Sequence, residues 1–406
     1  MLPNLGICFE MKIKDKIEIP PIADDELVVV VIGGPSQGES VLLHYGDGRW
    51  LIVDSCKSDG QNLPLLFLEK AEADLSKVGF VVCSHWHDDH VKGLNEILKE
   101  CENAYFMIPC VTHKSILPRY FEYRIQRTEK EKEKEAWREF KRCTEVVNGR
   151  TNVENPNLKE LQFMKVESPI FDYETHGTTV SAKALSPSNE MMNLFGQMLA
   201  DGEARNYQFD DSDINQNMCS IAIGVKFAGQ HIFLGADLEC NREDDEDEET
   251  CVDKCNDKFS LGMCNAVSNR YFREMSPYCY TKLNHHSSKN GYCPKYWLEH
   301  VTENRVAVST VFTPQSLPRK EMASRYLAKN SRYFVTSRKS QKKLQKNNVK
   351  KVLGDDKNIT SIEHIYSAPG IVLTRYDITT GVLKSTETYL NAFQMQRSDL
   401  KYFKVV

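Results

Sequence analysis

Seven residues constrain this chain more than any other stretch: Ser84-His85-Trp86-His87-Asp88-Asp89-His90. They follow the apolar run Val78 to Cys83, which reads as a buried strand. Val91 to Lys99 reads as a helix, with Gly93 near its start. A polar cluster between a strand end and a helix is where α/β folds place ligand sites. Neutral imidazoles and carboxylates suit zinc, manganese or iron. His85 and His87 alternate and can face one metal. Asp89 and His90 turn the corner and can face a second.

The flanking sequence supplies the α/β order. Leu27 to Ile32 reads as a buried strand ending at Gly33-Gly34-Pro35. Ser40 to Tyr45 and Trp50 to Asp54 flank the turn Gly46-Asp47-Gly48, a hairpin signal. Leu63 to Ala73 reads as a helix, followed by the strand that leads to His85. Strand, turn, strand, helix, strand and ligand loop is an α/β sequence of elements.

Two later segments can complete a metal pair. Ser220 to Phe227 and His231 to Asp237 form a hairpin across Ala228-Gly229-Gln230. A carboxylate at that strand end, Asp237, can bridge two cations. Tyr280 to Ser288 is a short strand ending in His285-His286-Ser287-Ser288. One of these histidines can close the second metal's shell, and the other can hydrogen-bond or protonate a substrate oxygen.

The order of these pieces resembles the metallo-β-lactamase fold superfamily, and most nearly the branch containing the soluble hydrolase domain of the DNA-uptake protein ComEC. The resemblance rests on Gly33 to Ser40, Ile52-Val53-Asp54, Ser84 to His90 with Gly93-Leu94, Leu185-Ser186-Pro187, Asn217 to Ser220, Leu234 to Asp237 and Asn284 to Ser288. It implies an α/β fold: an αββα four-layer sandwich with charged insertions at about 119–160 and 240–276, in a single domain whose core is about 27–384. It also implies two divalent ions, with zinc favoured and manganese the alternative. His85 and His87 would hold the first ion. Asp89, His90 and His285 would hold the second, and Asp237 would bridge. Asp54 would orient the histidine loop without binding metal. Asp89, Asp237 and His286 form the expected catalytic group, with Lys282 and Ser287 donating to substrate. The Leu185 to Asn189 step carries no histidine, so the first ion would have fewer protein ligands; His113, His176 and His231 are candidate substitutes.

Two cations sharing a water lower its pKa toward neutrality. Together with the ComEC-like resemblance, this implies phosphodiester hydrolysis as the expected activity, with nucleic acid or a nucleotide as the substrate that the resemblance and the basic segment suggest. Ester, thioester or lactam hydrolysis is a second reading, and a non-catalytic scaffold or partner-gated effector a third. A positive groove would favour phosphodiesters, and a narrow apolar pocket would favour acyl substrates.

Bulk properties set the context. Net charge is -5, so no global basic field announces nucleic acid. No apolar run approaches the ~18 residues of a membrane span. Met1 to Gly6 lacks the features of a signal peptide. The 13 cysteines fit mostly reduced thiols of a cytoplasmic protein. Cys240, Cys251, Cys255 and Cys264 have poor spacing for a structural zinc. Thr128 to Lys141 reads as a solvated charged helix and Glu243 to Glu249 as an acidic loop tip, and the charged insertions Thr128 to Lys141 and Glu243 to Cys264 suggest a surface for a protein partner or a substrate gate. Met191 to Leu199 reads as a short amphipathic helix with core methionines. Arg338 to Lys351 is a basic, solvated segment able to contact phosphates.

Overall fold

The computed structural model describes residues 17–34, 38–109, 116–150, 158, 160–206, 208, 215–240, 248–256, 260–329, 332–337 and 369–402. The basic 338–351 segment, His113 and most of the acidic 243–249 run lie outside these residues.

Two eight-stranded mixed sheets form the centre. The first runs Leu383–Leu390, Gly370–Asp377, Glu26–Gly34, Gly38–Tyr45, Trp50–Val53, Val78–Val82, Tyr105–Pro109 and Leu161–Met164. Its first four pairings are antiparallel and its last three parallel. The second runs Phe393–Gln394, Tyr333–Val335, Val301–Ser309, Tyr278–Lys282, Gln230–Leu234, Ile223–Phe227, Thr178–Ala184 and Pro169–Thr175.

Strand alternation explains the layering. In the first strand, Leu27, Val29 and Val31 meet Ile223, Val225, Ile232, Leu234 and Val308 of the other sheet in one apolar layer. Val28, Val30 and Ile32 point the other way and pack with Phe67, Leu68, Leu94 and Ile97 of the covering helices. Successive side chains leave opposite faces, so a strand covered on both sides must be apolar throughout. Phe233, Tyr278 and Ala307 play the same part outside the second sheet, against Phe272, Tyr296 and Trp297. Each fully buried aliphatic or aromatic chain contributes about 1.5–3 kcal/mol. The result is the expected sandwich of helices, sheet, sheet and helices.

The charged insertion behaves differently from the sequence expectation. The helix spans Glu131–Asn148, and Ala136, Trp137, Glu139, Phe140, Cys143 and Val147 are buried. Their spacing makes one apolar stripe, while Glu131, Glu135, Arg138 and Arg142 pair on the surface. The stripe docks behind the histidine loop: Trp137 lies 5.7 Å from Trp86, ring centre to ring centre. Asn189–Ala204 is longer than expected, capped by Ser188, and buries Met191, Met192 and Met198. The acidic run does not end as a loop, since a helix begins at Glu248 and reaches Asn256. Among the described residues, no helix is long and apolar enough to cross a membrane.

Candidate metal centre

The site forms at one edge of the sandwich, where strands of both sheets end. Asp54 follows the Trp50–Val53 strand with φ 60°. Its carboxylate accepts from the Ser84 N–H (2.7 Å) and the Ser84 hydroxyl (2.6 Å), and lies 2.8 Å from His90 Nδ1. That fixes the His90 ring and leaves Nε2 facing the site. Gly38 allows the neighbouring strand to come close: a Cβ there would lie 2.1 Å from the Asp89 carbonyl oxygen.

Asp237 follows the Gln230–Leu234 strand through Gly235 and Ala236. A Cβ on Gly235 would lie 2.0 Å from Asn284 Oδ1, so only glycine lets this strand end meet the His285-His286 turn. Asp237 Oδ2 is 3.3 Å from His90 Nε2 and 3.6 Å from His286 Nε2. Asp89 Oδ2 is 3.0 Å from His286 Nε2. One ligand atom each from Asp89, His90, Asp237 and His286 falls within 4.8 Å of all the others. Beside them, His85 Nε2 and His87 Nδ1 face each other at 3.0 Å.

The histidine pair after the second-sheet strand corrects an expectation. His286, not His285, joins Asp89, His90 and Asp237. The reason is backbone geometry: His285, His286 and Ser287 all have positive φ, 43°, 49° and 61°. Strand alternation is lost there, and the turn swings His286 inward onto Phe312 and Thr310. His285 instead places Nδ1 2.7 Å from Glu239 Oε1 and lines the cleft. Positive φ at three consecutive non-glycine residues is uncommon and is a mark of functional sites.

Lys282 and Ser287 are also placed differently. Both are fully buried. Lys282 Nζ donates to Glu39 and to the Ala236 carbonyl, and Ser287 exchanges a hydrogen bond with Ser309 (2.6 Å). Neither lines the cleft. Lys282 extends into the sandwich because it lies two residues after Tyr280, which packs between the sheets, and so shares its strand face. Of the substitute histidines, His176 pairs with Asp47 at 3.2 Å and His231 packs against Tyr278.

Three residues with positioning roles carried no such role in the sequence reading. Glu39 accepts from Lys282 and Thr310, and Thr310 Oγ1 lies 2.9 Å from His286 Nδ1. Glu239 receives Asn215 and Asn217 amides at 2.9 and 2.8 Å. Its signal was its place two residues beyond Asp237. Glu139 accepts from the Gly93 and Asn95 backbone N–H groups, each at 3.1 Å, and so fixes the chain just after His90.

Electrostatics suits cations. Burial holds His85 well below the ordinary imidazole value and lowers His87, which keeps both neutral and able to ligate. Burial opposes the His90 cation, but Asp237, Asp89 and Asp54 outweigh it and raise that group. Burial likewise opposes the Asp237 carboxylate, and His90 and His286 overcome it and hold it well below its usual range. Among the described residues, His90 Nε2 and Asp237 Oδ1 are buried without a hydrogen-bond partner. Orphaned polar atoms within a set of imidazoles and carboxylates fit a bound divalent ion.

The centre opens into a cleft of about 570 Å³ walled by Trp86, Trp137, Asn217, His285, Phe312 and Gln315, among others. A wider groove of about 1040 Å³ adjoins it past Asp88 and Asp89.

Residues 33–148 match the family model described as Metallo-beta-lactamase superfamily. No curated protein matches the chain. Similar solved structures include a Cronobacter sakazakii (Enterobacter sakazakii) metallo-beta-lactamase with a HARLDQ motif, at 12% identity, 54% of this chain, 64% of that chain and TM-score 0.26. The match thus spans less than two thirds of that enzyme's length. Others are the Rm3 metallo-beta-lactamase (10%, 64% and 77%, TM-score 0.29) and MIM-1 from Novosphingobium pentaromativorans (10%, 67% and 82%, TM-score 0.29). The segment that runs from Gly33 through the histidine loop to Asn148 is thus similar to the metallo-beta-lactamase superfamily.

Proposed function

We propose that this metal-dependent hydrolase cleaves phosphodiesters at a two-ion centre and belongs to the ComEC-like branch. The observation that carries the reading is the Asp89–His90–Asp237–His286 cluster beside the facing imidazoles of His85 and His87. His85 and His87 would hold one ion, Asp89, His90 and His286 the other, and Asp237 both. When bound, such ions activate water and stabilise charge on the attacked centre. Asp54 and Ser84 hold the loop so that His90 presents Nε2. Thr310, held by Glu39, orients His286. Trp137 and Trp86 exclude water behind the loop.

Charge at the cleft narrows the substrate. Arg124 is the one Lys or Arg among the described residues that line it, and it lies 5.3 Å from the Trp137 ring. A guanidinium lining the same cleft as the ligand cluster suits an anionic group. The adjoining groove is not positive: among the described residues, eight acidic side chains line it against five basic ones, and of the latter Lys57, Lys130 and Arg142 are paired with Glu96, Glu133 and Glu135. A long polyanion gains little from such a surface. This favours a substrate with one or a few phosphodiesters, such as a nucleotide or an oligonucleotide end. The apolar walls, Trp137, Ala136 and Phe312, favour the second reading, an acyl substrate with a hydrophobic arm.

A substrate panel separates the two. Zinc- or manganese-loaded protein should turn over dinucleotides and cyclic nucleotides in preference to a thioester, an aryl ester and a β-lactam. Preferential turnover of any acyl substrate would replace the phosphodiester reading.

A further inference from the structure

The His85–His87 pair poses a question of coordination. Among the described residues, no third His, Cys, Asp or Glu ligand atom lies within 4.8 Å of both nitrogens. Two imidazoles and a shared carboxylate leave a four-coordinate ion short of protein ligands for a stable site.

We infer that His285 supplies the missing ligand to the first ion through Nε2, with Glu239 as its orienting carboxylate. This rests on the two-ion reading above. The Glu239 carboxylate lies 2.7 Å from His285 Nδ1, and the Ser288 hydroxyl 2.9 Å from it. A carboxylate on one ring nitrogen fixes the proton there and leaves the other nitrogen's lone pair outward. That outward nitrogen, Nε2, is 4.0 Å from Asp237 Oδ2, the carboxylate shared by both ions. Among the described residues, its only hydrogen-bond contact is a long one, 3.4 Å, to the Asn217 amide nitrogen. Glu239 is 6% exposed and itself anchored by Asn215 and Asn217, so the arm that carries His285 is built rather than incidental.

A second observation points to a cation at this end of the cleft. Asn217 donates its amide N–H to Glu239, which fixes the amide's orientation. Its Oδ1 is buried and has no hydrogen-bond partner among the described residues. His87, Asn217, Asp237 and His285 line the same cleft. The His285 ring retains 13% exposure and lines the cleft together with His87.

The test is zinc stoichiometry and affinity of metal-stripped full-length protein, by competition with a chromophoric chelator, with folding checked by circular dichroism. Wild type should bind two ions. His285→Ala should bind one tightly, and Glu239→Gln should weaken one of two by about 10–100-fold. Adding His285→Ala to His87→Ala should cost nothing further, because both serve the same ion, whereas adding it to His286→Ala should remove the second ion as well. If His285→Ala misfolds, Glu239→Gln decides. Two ions of wild-type affinity in both variants would overturn the assignment. Fewer than two ions in wild type would instead overturn the two-ion reading itself.

Discussion

Asp54 holds His90: the carboxylate is 2.8 Å from Nδ1, and both groups are almost completely buried. The same carboxylate takes the N–H and hydroxyl of Ser84, so one side chain sets both ends of the histidine loop. Asp54→Asn should keep the fold but misorient the imidazole. A 10–100-fold loss of affinity for the ion at His90, read by isothermal titration with zinc, is the expected outcome. Unchanged affinity would remove Asp54 from the account.

Glu139 ties the charged helix to the loop. Both of its oxygens bind Asn95, and one also takes the backbone N–H groups of Gly93 and Asn95. Glu139→Ala would leave buried donors unsatisfied and should cost about 3 kcal/mol in urea unfolding. A cost under about 0.5 kcal/mol would show that the helix is merely laid on the surface.

Trp137 fills the space behind Trp86 and is 2% exposed. Trp137→Ala should cost about 3–5 kcal/mol. Trp137→Phe should recover most of that. Equal losses in the two variants would mean that the ring's packing is not what matters.

His44 gives a pH signature away from the metal centre. It lies 2.7 Å from the Glu26 carbonyl and accepts from the Gly48 N–H, and burial lowers its pKa to about 4. The unfolded imidazole takes up its proton near 6.5. Folding therefore gains stability from neutral His44 above pH 6.5 and loses it as pH falls toward 4. The loss is on the order of 3 kcal/mol at most. His44→Gln should flatten this part of the stability profile. An unchanged slope between pH 6.5 and 4 would contradict the assignment.

Much of the fold was legible because it is written in short-range patterns. The Leu27 to Ile32 run, the Gly46-Asp47-Gly48 and Ala228-Gly229 turns, and the Ser84 to His90 loop all announce themselves within a few residues. The choice between His285 and His286 was not legible, because three positive-φ residues in a row cancel the strand alternation on which such a choice depends. Lys282 looked available because a lysine usually is; its partner Glu39 is 243 positions away in sequence. The Glu131–Asn148 helix looked solvated because its charges dominate the composition. Its apolar stripe of Trp137, Phe140, Cys143 and Val147 was present, but nothing local said what it would cover.

The most direct test of the central claim is hydrolysis of bis(p-nitrophenyl) phosphate by metal-stripped protein reloaded with zinc or manganese, beside Asp237→Asn. The account predicts turnover that requires metal and falls by at least about 100-fold in the variant. Metal-independent turnover, wild-type turnover in Asp237→Asn, or no turnover by folded protein shown to hold two ions would contradict it.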